Sequence, residues 1–373
     1  MAIYDELGVT RLINAAGTYT RVGGSRMSDE TLRAMREAAN SFVNIEDLQK
    51  KLNARLAELT HNEAAYVTTG AAAGLFLTAA ACVSAKLGQP AAELTPQDAA
   101  KCEIITFKVH RNPYDWGPRQ LGVRLVEVAS PNCDQPLSKE QLQNAITDKT
   151  AAIFYTISGW LDQGALDLQD TIAIAQSKGI PLIIDAAAQL PPVENLWNFT
   201  EAGATAVLFS GGKDLCGPQA SGLIVGKKWL IDILMESAFP NNGIGRVLKV
   251  GREEMVGLFA AIKQYLDMDH GARARWCEEQ VDQLRAAFMG NPDVAVERSF
   301  PNEAGQPLPR GIVTFLDSSK SATRIAADLL DGSPAVYVRT ASENSIFINP
   351  MTLAPGELIM VIDRLKQILR SNP

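Results

Sequence analysis

The feature that most restricts this chain is a regular alternation. Short apolar runs recur at Ala64–Thr68, Glu103–Val109, Val123–Val128, Ala151–Thr156, Pro181–Ile184, Ala206–Phe209 and Ser221–Val225. Helix-patterned segments fall between several of them, at 71–87, 138–146 and 168–178. Runs that are apolar throughout, with no polar alternation, predict strands covered on both faces, as in a largely parallel sheet. Strand–helix–strand at this spacing predicts an α/β fold with a mainly parallel central sheet. Upstream, Leu48, Leu52, Leu56 and Leu59 stripe one face of a helix over Glu46–Leu59. After residue 226 the rhythm breaks. Helices are expected at Lys227–Ser237, Glu253–Tyr265, Arg273–Met289, Ser321–Leu330 and Gly356–Arg370, and strands at Ile312–Leu316, Ala335–Arg339 and Ser345–Ile348. The turn-rich stretch up to Arg310 reads as a loop. We therefore expect an N-terminal arm over 1–44, a large domain over 45–255 and a smaller C-terminal α+β domain over 256–373, which the arm joins.

A chain of 373 residues with 46% hydrophobic content can bury a sizeable core. Its net charge of −7 argues against nucleic acid or an anionic membrane as the main partner. Cys82, Cys102, Cys133, Cys216 and Cys277 are scattered and odd in number, which speaks against a disulfide framework and for reduced, mostly buried thiols. Three histidines, His61, His110 and His270, make a multi-histidine metal site unexpected. The start Met1–Glu6 lacks a signal peptide's basic and apolar regions, and Ala71–Leu87 is interrupted by Thr78, Ser84 and Lys86, so no membrane span is expected. These traits fit a cytoplasmic enzyme.

Four segments could carry chemistry. In Phe209-Ser210-Gly211-Gly212-Lys213 a strand ends on two glycines and one lysine. Ligands of open α/β sheets lie beyond the carboxyl ends of strands. Lys213 is there either a Schiff-base nucleophile or an ordinary phosphate-binding or solvated lysine. One strand earlier, Leu182-Ile183-Ile184-Asp185-Ala186-Ala187 ends on a carboxylate that either caps a helix or meets a cation. A lysine and an aspartate at successive strand ends suit pyridoxal 5′-phosphate, which needs an amine for its aldehyde and a carboxylate for its ring nitrogen. Thr69-Gly70-Ala71-Ala72-Ala73-Gly74 offers free amides at a helix start for a phosphate, though it matches neither the P-loop nor the dinucleotide spacing. His110, just after a strand, could stack on a flat ring and shuttle protons, or be structural.

Phosphate turn, histidine, aspartate and lysine, in that order, resemble the fold-type I pyridoxal-phosphate enzymes. Asn14-Ala15-Ala16-Gly17-Thr18, the stretch Glu63–Gly74 and Ser210–Gln219 resemble, more narrowly, the selenocysteine-synthase-like superfamily, on the branch that holds D-glucosaminate 6-phosphate ammonia-lyase. The resemblance spans nearly the whole chain. It implies that Lys213 binds the cofactor aldehyde and that Asp185 faces the ring nitrogen. It also implies His110 and Ala187 against the ring faces, with Gly70, Ala71, Ala72 and Ser210 near the phosphate. Cys216 stands where the resemblance leads one to expect an arginine, which leaves the substrate open. Arg339, in the small domain, is either a clamp for a substrate carboxylate, as in other fold-type I enzymes, or a surface arginine on an edge strand. Asn349, Arg21, Arg26 and the segment Lys249–Glu254 are weaker candidates.

The expectation is a lyase acting by α,β-elimination, with ammonia release, on a small polar or sugar-derived amino acid such as a D-glucosaminate. A racemase or aldolase on a hydroxy-amino acid uses the same apparatus. Selenium transfer to seryl-tRNA is disfavoured by the acidic balance, and a non-catalytic homologue by the intact Asp185–Lys213 pair. Fold-type I likeness also implies a homodimer or higher homo-oligomer, and no metal is expected.

Overall fold

The computed structural model describes residues 3–130, 137–159, 164–317 and 321–371. Thirteen strands lie among these residues. They are β1 (Leu12–Asn14), β2 (Ala64–Thr68), β3 (Glu103–Phe107), β4 (Arg124–Val128), β5 (Thr150–Thr156), β6 (Leu182–Asp185), β7 (Ala206–Ser210), β8 (Gly222–Gly226), β9 (Val294–Ser299), β10 (Arg310–Phe315), β11 (Ala335–Tyr337), β12 (Arg339–Ser342) and β13 (Ser345–Ile348). The chain divides into two compact units, Met27–Met268 and the discontinuous Met1–Arg26 with Asp269–Pro373.

The larger unit is built on a seven-stranded sheet in the order β2-β8-β7-β6-β5-β3-β4. β8 runs antiparallel to both its neighbours, and the remaining pairs are parallel. The carboxyl ends of β2, β3, β5, β6 and β7 therefore share one edge. Alternate residues of each strand feed two separate cores. Val67, Ile105, Ile153, Ile184, Val207 and Leu223 point into one, and Tyr66, Ile104, Ala152, Ile183, Leu208 and Ile224 into the other. Each fully buried aliphatic side chain contributes about 1.5–3 kcal/mol, and because both faces need them the strands read as unbroken apolar runs. The helix Ala71–Leu87 covers the second face and is almost wholly apolar for that reason.

The smaller unit carries a four-stranded antiparallel sheet, β12-β13-β10-β9, and a two-stranded parallel pair, β1-β11. Its core gathers Ile13, Leu284, Val313, Phe315, Val336, Ile346 and Val361.

Two expectations need correction. The stretch taken as a loop before Arg310 contains β9, paired antiparallel with β10. Glu297 and Arg298 are exposed on this edge strand, so no apolar run announces it. The single strand expected at Ala335–Arg339 is two. Ala335 and Val336 are buried beside β1, and after Val338 the chain crosses to the other sheet, where Arg339 begins an exposed edge strand. The compact units part at 26/27 and 268/269, while the sequence suggests domain bounds at 44/45 and 255/256. The cause is that helix Asp29–Ala39 packs along helix Arg252–Asp267, with Ser28 donating to Gln264 at 2.6 Å.

Candidate active site

The edge formed by the parallel strand ends collects the predicted residues of the larger unit. Asp185 closes β6, and its backbone is tied on both sides: Ile157 N donates to its carbonyl at 3.0 Å, and Ala186 N donates to Leu208 O at 3.0 Å. The carboxylate accepts from Ala187 N at 3.1 Å. It is buried, and burial pushes it above the usual carboxylate range, while the Lys213 ammonium and the Ala187 amide pull the other way. Lys213 is half-buried in the turn after β7, its amide donating to Ser210 O at 3.4 Å. Burial pushes its amine below the ordinary lysine value, and Asp185 opposes that. The two groups thus form one electrostatic couple, each shifted toward its neutral form. Ser210 N donates to Ala187 O, which joins the two strand ends directly.

The glycine pair before Lys213 is required by packing. A Cβ on Gly211 would come within 2.1 Å of Ser221 Oγ, and one on Gly212 within 2.5 Å of Gln219 Cα. The turn is held from beneath by buried Asp214, which accepts from Tyr265 Oη at 2.9 Å. Tyr265 lies 51 residues further along the chain, and no local signal points to it. Cys216, with φ of +53°, takes the left-handed conformation that lets its amide donate to Lys213 O at 3.0 Å.

Gly70 caps the helix Ala71–Leu87 with φ of +94°, and no side chain satisfies the first amides of that helix. The amides of Ala71, Ala72 and Ala73 are the donors left free by helix geometry, and they carry the positive end of a 17-residue helix. Gly222, on β8, makes this turn possible: a Cβ there would lie 2.6 Å from the carbonyl carbon of Gly70 and 2.8 Å from Ala71 N. Sequence reading passed over Gly222, whose only mark is a glycine within an apolar strand.

His110 ends a 3₁₀ turn after β3 and is 1% exposed. Its Nδ1 accepts from Thr156 N at 3.2 Å, so the neutral ring carries its proton on Nε2. The ring meets Tyr155 edge-on at 4.5 Å and Phe107 at 5.2 Å. Burial pushes its pKa down to about 4, which makes it a neutral ring at physiological pH. His110, Thr106, Thr156 and Asp185 line a cavity of about 20 Å³. That is room for roughly one water, so imidazole and carboxylate share one confined space. Two buried hydroxyls at this edge, Thr68 Oγ1 and Ser158 Oγ, make no hydrogen bond among the described residues.

These observations fit a flat, phosphorylated, aldehyde-bearing cofactor. The edge offers an amine, a carboxylate, an uncapped helix start and unspent hydroxyls, all in one unit.

The remaining candidates lie in the smaller unit or are already committed. Arg339 is exposed on β12, with its guanidinium 4.5 Å above the Tyr19 ring. Asn349 is fully buried, accepts from Met351 N and donates to Glu303. Arg26 is bound to Glu357 at 2.9 Å and to Thr352 O, while Arg21 is exposed on a short turn. In the larger unit Arg252 is bound to Glu253 and Ala39 O. Cys82, Cys102 and Cys277 are buried and Cys216 is half-buried, none of the four in a disulfide; Cys133 lies outside the described residues.

The topology and the paired strand ends define the class: this is the fold of the fold-type I pyridoxal-phosphate enzymes. Solved structures of that fold superpose on the chain, among them a cysteine desulfurase from Escherichia coli (TM-score 0.58, 15% identity, 92% of each chain). The structure of D-glucosaminate-6-phosphate ammonia-lyase superposes with a TM-score of 0.84 at 30% identity, over 100% of this chain and 99% of the other. In sequence, the D-glucosaminate-6-phosphate ammonia lyase of Salmonella typhimurium is 31% identical over 98% of this chain and 97% of its own length. A 5′-C-glycyluridine monooxygenase-decarboxylase from a Streptomyces species is also 31% identical, over 98% and 92%. Residues 118–276 match the family described as SelA, L-seryl-tRNA selenium transferase. The chain belongs to the selenocysteine-synthase-like family of fold-type I enzymes, on the branch that holds D-glucosaminate-6-phosphate ammonia-lyase.

Proposed function

We propose that the chain is a pyridoxal-phosphate-dependent ammonia-lyase acting on a sugar-derived amino acid of the D-glucosaminate type. The observation that carries this is the Asp185–Lys213 couple at adjacent parallel strand ends, in a chain alike over its full length to such an enzyme. Lys213 would hold the cofactor aldehyde, Asp185 its ring nitrogen, the amides of Ala71 and Ala72 after Gly70, with Ser210, its phosphate, and His110 and Ala187 its ring faces. When bound, the cofactor supplies an electron sink that acidifies the carbon bearing the substrate's amino group. Lys213 Nζ, freed once the substrate's amine takes its place on the aldehyde and pushed by burial toward its neutral form, would accept that carbon's proton. Loss of the neighbouring hydroxyl as water, then hydrolysis, leaves a 2-keto acid and ammonia. His110 serves as a neutral, fixed wall and not as a proton carrier, because Nδ1 is spent on Thr156 and the ring resists protonation. Arg339 would bind the substrate carboxylate.

Two finer readings accompany this one. Buried thiols support a reducing compartment such as the cytoplasm, and among the described residues no helix is long and apolar enough to cross a membrane. Phe42, 99% exposed, and Val247, 83% exposed, are apolar surface of the sort a homo-oligomer covers, which light scattering would test.

The test is a 2-keto-acid and ammonia assay on D-glucosaminate and its 6-phosphate, with oxygen uptake followed in parallel. Keto acid and ammonia in equal amounts, without oxygen uptake, are the expected result. Oxygen uptake with carbon dioxide release would move the assignment toward the monooxygenase-decarboxylase chemistry of the second relative. Borohydride should fix the cofactor on Lys213, and an unmodified Lys213 peptide would overturn the cofactor assignment.

A further inference from the structure

The smaller unit contains an arginine held differently from its neighbours. Arg26, Arg298 and Arg310 are each paired with a carboxylate: Glu357, Glu278 and Glu303. Arg339 has no ion pair among the described residues, and instead its guanidinium lies 4.5 Å from the centre of the Tyr19 ring. The Tyr19 ring covers one side of the guanidinium and its phenol oxygen takes a hydrogen bond from Arg339, which leaves the remaining N–H donors uncommitted to any carboxylate among the described residues. A planar cation anchored on one side by the ring and its hydroxyl, with donors to spare, is prepared for a planar anion such as a carboxylate.

The ring beneath it is itself held firmly. Tyr19 follows the segment Asn14–Gly17, which is stitched to the sheet on either side. Ala15 N donates to Tyr337 O at 2.9 Å and Asn349 N to Ala15 O at 2.8 Å. The Asn14 side chain bridges Gly17 O at 2.8 Å and Ala16 N at 3.1 Å. Gly17 has φ of +95°, and a Cβ there would lie 2.9 Å from Glu303 Oε1 and 3.1 Å from Asn349 Nδ2. Glu303, in turn, accepts from Asn349 at 3.2 Å and from Arg310 at 3.3 Å. The buried Glu303–Asn349 pair thus sets the path of the segment, and the segment sets the ring.

We propose that Tyr19 is a positioning residue for Arg339, and that ring and guanidinium together form a pre-organised clamp for the substrate's carboxylate. This rests on the reading of Arg339 as the carboxylate-binding residue. Pre-organisation removes an ordering cost at binding, so its loss appears in affinity and not in the chemical step.

The experiment uses the holoenzyme and D-gluconate 6-phosphate, which keeps the carboxylate but has no amino group to react. Its dissociation constant is measured by calorimetry for Arg339→Lys, Tyr19→Leu and Tyr19→Phe. KM and kcat for D-glucosaminate 6-phosphate and the melting temperature are measured alongside. Tyr19→Leu and Arg339→Lys should each weaken binding and raise KM by roughly tenfold with kcat within about twofold, and Tyr19→Phe, which keeps the ring but loses the hydroxyl's hydrogen bond to Arg339, should fall between the parent and Tyr19→Leu. If Arg339→Lys weakens binding and Tyr19→Leu does not, the role of Tyr19 is wrong and the reading of Arg339 stands. If neither weakens it, the reading of Arg339 itself falls. A Tyr19→Phe variant as impaired as Tyr19→Leu, or a fall in kcat matching a lower melting temperature, would also overturn the clamp.

Discussion

At the scale of single residues, the site is governed by what burial does to charge. His110 shows this in its simplest form, since desolvation alone takes its pKa from 6.5 to about 4. The unfolded chain then binds more protons than the folded one between those values, so stability is full above pH 6.5 and is lost as pH falls toward 4. At pH 5 the loss is about 2 kcal/mol. His110→Phe keeps a ring against Tyr155 and Phe107 but leaves the half-buried Thr156 amide without its acceptor, at a cost of about 1–3 kcal/mol near neutrality. The gap in urea midpoint between parent and variant should therefore narrow from pH 7 to pH 5. A constant gap would mean that the imidazole takes up its proton within the fold. The residue identities here were legible in the chain: Lys213, Asp185 and His110 all follow apolar runs. Their supports were not, because Thr156 reaches His110, and Tyr265 reaches Asp214 beneath the Lys213 turn, through pairings between segments distant along the chain.

At the scale of elements, the strands and several helices of the larger unit were legible, because two-sided burial leaves unbroken apolar runs, while the largely exposed helix Asp29–Ala39 was not. β2 occupies Ala64–Thr68 and the following helix Ala71–Leu87, as the pattern predicts. Legibility failed for β9 and β12, edge strands whose exposed residues carry no such pressure. It failed also for Gly222, whose importance lies in its neighbour across the sheet. Gly222→Ala forces a methyl group against the Gly70–Ala71 peptide, and overpacking of this kind costs about 1–3 kcal/mol. The displaced peptide begins the helix whose amides would take the phosphate, so cofactor affinity should fall about tenfold or more. Gly88→Ala is the control. It strains a left-handed helix cap, at about 1–2 kcal/mol, but a Cβ there meets nothing within 4 Å. Equilibrium dialysis of the cofactor should separate the two variants where thermal melting does not. Equal cofactor affinity in both would detach the turn from phosphate binding.

At the scale of the whole molecule, every residue assigned here to the cofactor lies between 70 and 213, inside the larger compact unit, while Arg339 and Tyr19 belong to the other. The units have separate cores, so a ligand held by one alone stabilises that one by mass action. At a cofactor concentration a hundred times its dissociation constant the gain is about 2.7 kcal/mol, or roughly a hundredfold in amide protection for groups that exchange through unfolding of that unit. Hydrogen exchange with and without cofactor should therefore slow strongly in β3, β5, β6 and β7 and in the helix Ala71–Leu87, and change little in β9, β10 and β13. A substrate carboxylate analogue added afterwards should protect Tyr19 and β12 if Arg339 receives it. Equal protection of β9–β13 by cofactor alone would show that the two units unfold as one, and the division of labour between a cofactor-holding unit and a carboxylate-holding unit would have to be abandoned.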